Sequence, residues 1–253
     1  MNSKYNLTTL RPVVSHLFHA ASGGADVIFD WHAFEIPKGT CVVKHVSGTV
    51  IGVDGAAGND DDFKLYFAKS INGVAPSSFG VPHAVNTATQ TAAFRRNIIG
   101  FTYIDASAID DGDSLVGYNV LGSRGEESIE QVNMMLQGDE FPYPGTTPGY
   151  QTIFIAAETS GAALDFGTEV DLNQVGHQAA SVAAVQIVTT GTDPRKVFAP
   201  GDLIQGHTGT VTAEVVSVDS ATSMTLKNIS AQITQSEHLI LQNPIVLNLG
   251  LEY

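Results

Sequence analysis

Apolar residues in this chain recur at every second position, in short runs that end on Gly, Pro, Asn or Asp; "TVTAEVVSV", residues 210–218, is the plainest case. Side chains that alternate faces with period two fit a strand covered by a core on one side. A helix needs apolar positions three and four apart over a longer stretch. The best candidate is "GEESIEQVNMMLQ", residues 125–137, where Ile129, Val132, Met135 and Leu136 fall near one face. Its second half also reads as a strand. Further strand-like runs lie at residues 26–36, 39–53, 63–71, 97–105, 113–122, 150–158, 169–175 and 181–190. Many short strands separated by turn formers predict an all-β fold, a β-sandwich with jelly-roll-like connections.

Residues 197–230 parse strand by strand. Pro200, Gly201 and Asp202 make a turn, "LIQG" a short strand, "HTG" a turn and "TVTAEVVSVD" a longer strand. "SAT" turns again, "SMTLKNIS" is a strand and "SEHLILQ" the last one. Val211, Ala213, Val215 and Val218 share one face if the register adjusts near Val216. Strands of this length can curl into a small barrel, which would remove exposed edges. "IVLNLGLEY", after Pro244, again reads as a strand of the larger body. The expected organisation is an N-terminal arm at 1–25, a sandwich body at 26–192 plus 244–253, and a barrel module at 193–243 inserted between body strands. The arm reads either as a segment lying across a neighbouring subunit or as a frayed terminus, with "SHLFHAA" forming one helical turn.

With 253 residues, 43% of them hydrophobic and 15% charged, the chain can bury a sizeable core and lacks the charge-rich tracts of disorder. Acidic residues outnumber basic ones, 26 to 12, for a net charge of −14. Such a chain repels phosphate backbones and anionic membrane surfaces, so no direct nucleic acid or membrane contact is expected. No run of about 20 apolar residues marks a transmembrane helix. His16, His19 and Ser15 interrupt the short run after Lys4 and Arg11, which disfavours a signal peptide. Cys41 is the only cysteine and excludes an intrachain disulfide; it reads as a small packed residue of a strand.

Several clusters hold residue types suited to chemistry. His16 and His19 stand three apart, as metal ligands on one helix face would, but no carboxylate or cysteine follows at ligand spacing. Asp54, Asn59, Asp60, Asp61 and Asp62 form one acidic loop, and Asp105, Asp110, Asp111 and Asp113 another. Both offer hard oxygens to calcium, but neither has the helix–loop–helix spacing, and Asp and Gly are ordinary turn formers. Asp30 and His32, two apart in a strand, could act as a base and its orienting group, but no nucleophile motif accompanies them. Trp31 between them reads as a core anchor. Phosphate-loop motifs do not occur. Arg95–Arg96 and Arg195–Lys196 read as solvated doublets or as bonds to a neighbour's carboxylates. "FPYPGTTPGY", residues 141–150, reads as a rigid connection that could also present aromatics to a partner or sugar. No residue is assigned a catalytic, cofactor-binding or metal-ligating role, and no enzyme activity is expected.

The module carries the one familial signal. Phe198, Gly201, Asp202, Gly206, Gly209, Leu226, Asn228, Ser230, Glu237 and Leu239 stand in a pattern that resembles the small β modules of tailed-bacteriophage virion structural proteins. The resemblance covers residues 198–241 and no more. It implies a virion component, a capsid decoration, cement or neck protein. Such a protein would contact the major capsid protein or other virion proteins and associate as a homo-oligomer. Two other classes remain open. A glycan- or receptor-binding β module would gather exposed aromatics on one surface. A β-sandwich carbohydrate enzyme would face two carboxylates across a cleft.

Overall fold

The computed structural model describes residues 4–19, 23–51, 62–86, 92, 94–104, 109–110, 118–121, 132–160, 164–167, 170–172, 181–234 and 237–253. Antiparallel strands in three sheets make up the fold, as the alternating runs predict. The sheets fit an all-β sandwich.

The first sheet is built around β3 (Thr40–Ile51) and β16 (Ile245–Glu252). β1 (Tyr5–Leu10) pairs with the free side of β16. The other side of β3 is shared end to end: β8 (Met134–Gln137) pairs with residues 40–43, and β7 (Tyr118–Leu121) with residues 48–51. β6 (Ile109–Asp110) follows β7. The ambiguous run at 125–137 is thus a strand over its last four residues; residues 125–131 lie outside the described residues.

The second sheet runs in the order β2 (Val27–Pro37), β9 (Tyr150–Thr159), β4 (Phe63–Lys69), β5 (Ile98–Ile104). β9 is buried on both faces from Gln151 to Ala157, because loops cover the side away from the first sheet. One loop carries Phe79 and the other Tyr143, whose ring stands edge-on to Phe154.

The third sheet has the order β10 (Val170–Leu172), β11 (Val185–Gly191), β14 (Ser223–Lys227), β13 (Thr212–Ser220), β12 (Leu203–Gly206), β15 (Leu239–Leu241). Each turn of the 197–230 stretch falls where its Gly, Asp and Ser residues place it. The expected barrel is corrected: the sheet curls, and β10 and β15 approach each other, but no ladder joins them and the sheet stays open among the described residues. At three residues each, these strands are too short to hold a closing seam. The sheet also takes in β10 and β11, which precede residue 193. The register adjustment expected near Val216 is present. Val215 pairs with Leu226 and Ser217 with Thr225, so Val216 is the extra residue and faces solvent.

One packed cluster threads the whole chain. Leu247, Leu249 and Leu251 of β16, Val43, Val46 and Val50 of β3, and Phe63, Leu65 and Phe67 of β4 belong to it, as do Val215 and Leu226 of the third sheet and Ile233 of the segment between β14 and β15. The inward positions on β3 change phase at Lys44, an extra residue opposite the Gly250–Leu251 step, so Val43 and Val46 both point inward.

The segment read as an arm is woven into this framework over residues 4–18. Beyond the β1 ladder, the Val14 N–H donates to the Gln242 carbonyl, and Asn243 Nδ2 donates to the carbonyls of Arg11 and Pro12. Phe18, in the short 3-10 turn His16–His19, is fully buried against Phe166 and His83. Phe18→Ala is therefore expected to lower unfolding free energy by about 3–5 kcal/mol in a denaturant titration. Leu17→Ala, at a position 41% exposed, is expected to change it by less than about 1 kcal/mol.

Candidate functional site

The residues that carry the module's pattern lie in and between the strands of the third sheet, and Glu237 is the most buried polar group among them. Its carboxylate is 2% exposed and accepts from Thr208 N (3.1 Å), Thr208 Oγ1 (2.8 Å) and Thr234 Oγ1 (3.3 Å). These bonds tie the β12–β13 turn to the segment entering β15, and they compensate the desolvation of the buried charge. Gly206 makes room for the carboxylate, since a Cβ there would lie 2.0 Å from Glu237 Oε1. His207 sits beside Glu237 at 3.6 Å, but its Nδ1 accepts the His238 N–H at 3.0 Å.

The other pattern residues shape the same unit. Asp202 Oδ2 accepts from Ala199 N at 2.7 Å and closes the turn into β12. Ser230 Oγ accepts from Thr212 N at 2.7 Å, and Asn228, at φ 53°, ends β14 and donates to Glu214. Gly209, at φ 74°, leaves space for the His16 ring, which a Cβ would meet at 2.5 Å. His16 is thus seated on the module turn. The His19 side chain lies outside the described residues, so the pairing of the two histidines does too. Asp193 caps the short turn Pro194–Lys196, and Arg195 grips its carboxylate in a fork, which holds the Asp193 carboxyl below its usual range.

A groove of about 500 Å³ opens where this unit meets the first sheet, between Val13, Val246 and Leu203, with Arg11 and Asp202 on its walls. Burial pushes the Asp202 carboxyl up, while the Ala199 N–H and the charge of Arg11 pull it back.

The structure separates Asp30 from His32. Asp30 Oδ1 accepts from the N–H groups of Trp31 and Phe79, and Oδ2 from Ser78 Oγ. It pins the Phe79 loop to β2, and no hydrogen bond links it to His32. Two register shifts in β2, between Val27 and His32, break the simple alternation that would set both side chains on one face. His32 is held below its usual value by burial. Cys41 is buried at 1% exposure, and desolvation pushes its thiol up to about 11, far from a reactive thiolate. Of the acidic loops, Asp62 accepts from the Tyr103 hydroxyl and Asp110 lies in β6; residues 54–61, 105, 111 and 113 lie outside the described residues. Arg95 and Arg96 are exposed in the short turn Phe94–Arg96. Residues 141–149 connect β8 of one sheet to β9 of the other, held by Thr147 N to Glu35 Oε1 at 2.6 Å, with Phe141 exposed.

One feature was not legible beforehand. On the outer face of the second sheet, the rings of Phe94, Trp31, Phe79, Tyr66 and Phe101 follow one another at centroid distances of 6.1, 5.2, 4.9 and 5.8 Å. The i, i+2 spacing of Phe101 and Tyr103 hinted at a shared face, but the other rings come from separate segments.

A comparison with protein families finds no match, and none is found among curated proteins. Among solved structures the chain is similar to the selenomethionine-labelled mavirus penton protein. Identity is 9% over 100% of this chain and 99% of that one, with a TM-score of 0.15, a likeness too slight to carry any argument.

Gly206→Ala is expected to destabilise the protein by on the order of 2 kcal/mol in denaturant unfolding, by displacing a buried carboxylate. Adding Glu237→Ala should recover part of that loss, a non-additivity of about 0.5–3 kcal/mol in a double-mutant cycle. The depressed His32 value has a pH signature. The unfolded chain takes up this proton first, so the contribution is complete above pH 6.5 and is lost as pH falls toward the folded value. His32→Gln should flatten the dependence of melting temperature on pH just below 6.5. The losses from lowered carboxylates such as Asp193 and Glu214, which set in near pH 4, should be unaffected.

Proposed function

We propose that this chain is a virion structural protein of a tailed phage, a capsid decoration or cement protein that acts by protein–protein contact and not by catalysis. The observation that carries the proposal is the module itself. Residues that resemble phage virion modules each fix a turn or strand end of one sheet: Gly206 makes room for the Glu237 carboxylate, Asp202 closes the turn into β12 and Ser230 holds Thr212. A pattern whose members serve one rigid unit is better support than scattered similarity. The rest of the architecture suits the role. Short strands in three sheets present broad faces, and the termini pair with each other in the first sheet through Lys4 and Tyr253. Protein partners of this class are the major capsid protein, neighbouring virion proteins and further copies of the chain.

The proposal is tested with purified protein and emptied capsids of the phage whose genome encodes it. The expected results are a homo-oligomer by size-exclusion chromatography with light scattering, and saturable co-sedimentation with the capsids. A monomer that stays in the supernatant at every ratio overturns the proposal.

A further inference from the structure

The aromatic row on the second sheet has a partner row beside it. Tyr66 pairs across the ladder with Phe101 on one side and Ala156 on the other. Two residues along, Lys64 pairs with Tyr103 and with Glu158 in the same way. One line of positions therefore sets two aromatic rings beside Ala156, and the next carries an ammonium, a carboxylate and a phenol ring. Asn86 extends the second line by donating to Glu158 Oε2 at 3.2 Å. Inward-facing Phe63, Leu65 and Phe67 are fully buried, so Lys64 and Tyr66 necessarily face outward.

The rings are both displayed and fixed. Phe101 is 59% exposed and Tyr103 42%. Phe79 underlies the row, held by Asp30 through its N–H, and Trp31 is anchored by Nε1 to the Ser77 carbonyl at 2.8 Å. Rings locked in advance lose little conformational entropy on binding. Arg95 and Arg96 follow Phe94 at one end, both exposed, and bring positive charge to this end of the row in a chain of net charge −14.

From this arrangement we propose that the outer face of β4 and β5, with Trp31 and Phe94, binds a saccharide chain. A sugar ring has an apolar C–H face and a rim of hydroxyls. The first stacks on Phe101, Tyr103 and Tyr66, while the second reaches Lys64, Glu158 and Asn86. The flanking arginines favour units that carry a carboxylate. A protein hot spot would instead call for a deep, fully desolvated pocket, and this face is a shallow row. The site is independent of the virion proposal and compatible with it.

Trp31 is the only tryptophan, so its emission reports directly on the row. Hexagalacturonate and cellohexaose are titrated into the full chain, with calorimetry as a second readout. The expected result is a saturable change with a dissociation constant of about 1 mM or tighter, stronger for hexagalacturonate, and weakened about tenfold or more by Phe101→Ala and by Tyr103→Ala. Both substitutions are at exposed positions, and unchanged melting temperatures would show the variants folded. Neither sugar binding, or binding indifferent to both substitutions, overturns the inference. So does loss of self-association in Phe101→Ala without sugar binding, which would make the face a protein interface. Capsid co-sedimentation of Phe101→Ala at the wild-type level keeps a failure here distinct from a failure of the virion proposal.

Discussion

The last strand is clasped between the first and the third, and the rest of the molecule depends on that pairing. β16 accepts β1 on one edge and β3 on the other, with its alternate leucines, 247, 249 and 251, buried beneath. Until the chain's end is in place, β3 has no partner along most of one edge and β1 has none at all. Everything between is held inside a loop closed by the most distant contacts the chain can make. That closure is entropically demanding and is offset by backbone hydrogen bonds and apolar burial acting together. A fold dominated by such pairings forms slowly, since the remote contact must be made before it is stabilising.

Where ladders end, single carboxylates take over. Asp30 fastens the Phe79 loop to β2 through two acceptor bonds, from Ser78 and Phe79, and Glu237 fastens the β12–β13 turn to the segment entering β15. In both places donors from a loop converge on one acidic group, in the way that a cap satisfies the end of a helix. These two staples make firm the surfaces that would otherwise be mobile loops. Asp30, two residues before His32 as an orienting group would be, accepts from the Phe79 loop on both of its oxygens instead.

Legibility differed from element to element. Strands β2, β3, β4, β5, β9 and β16 could be placed within a residue or two, because their alternation is dictated locally by the need to bury one face. The bulge at Val216 was also legible, since Val215 and Val218 cannot otherwise share a side. The bulge at Lys44 was not, although it re-phases β3 in the same manner, because "CVVKHV" offers apolar residues to either register. β1 passed for an arm because its neutral, mixed sequence says nothing about the strand at the far end of the chain that it joins. The barrel expectation failed at its seam, where closure depends on whether two three-residue edges can bond.

The sequence by itself determined that this is a chain of short strands, acidic and without a nucleotide-binding motif, and that the Gly, Asp and Ser residues between 198 and 230 mark its turns. Period-two burial and turn chemistry act over a few residues, so a linear reading can recover them. Tertiary structure alone decided which strands pair, that the third sheet stays open, that Asp30 serves a loop instead of His32, and that rings from five separate positions form one row. Those outcomes depend on edges and faces meeting across long stretches of chain, and no local pattern encodes the geometry of a distant partner.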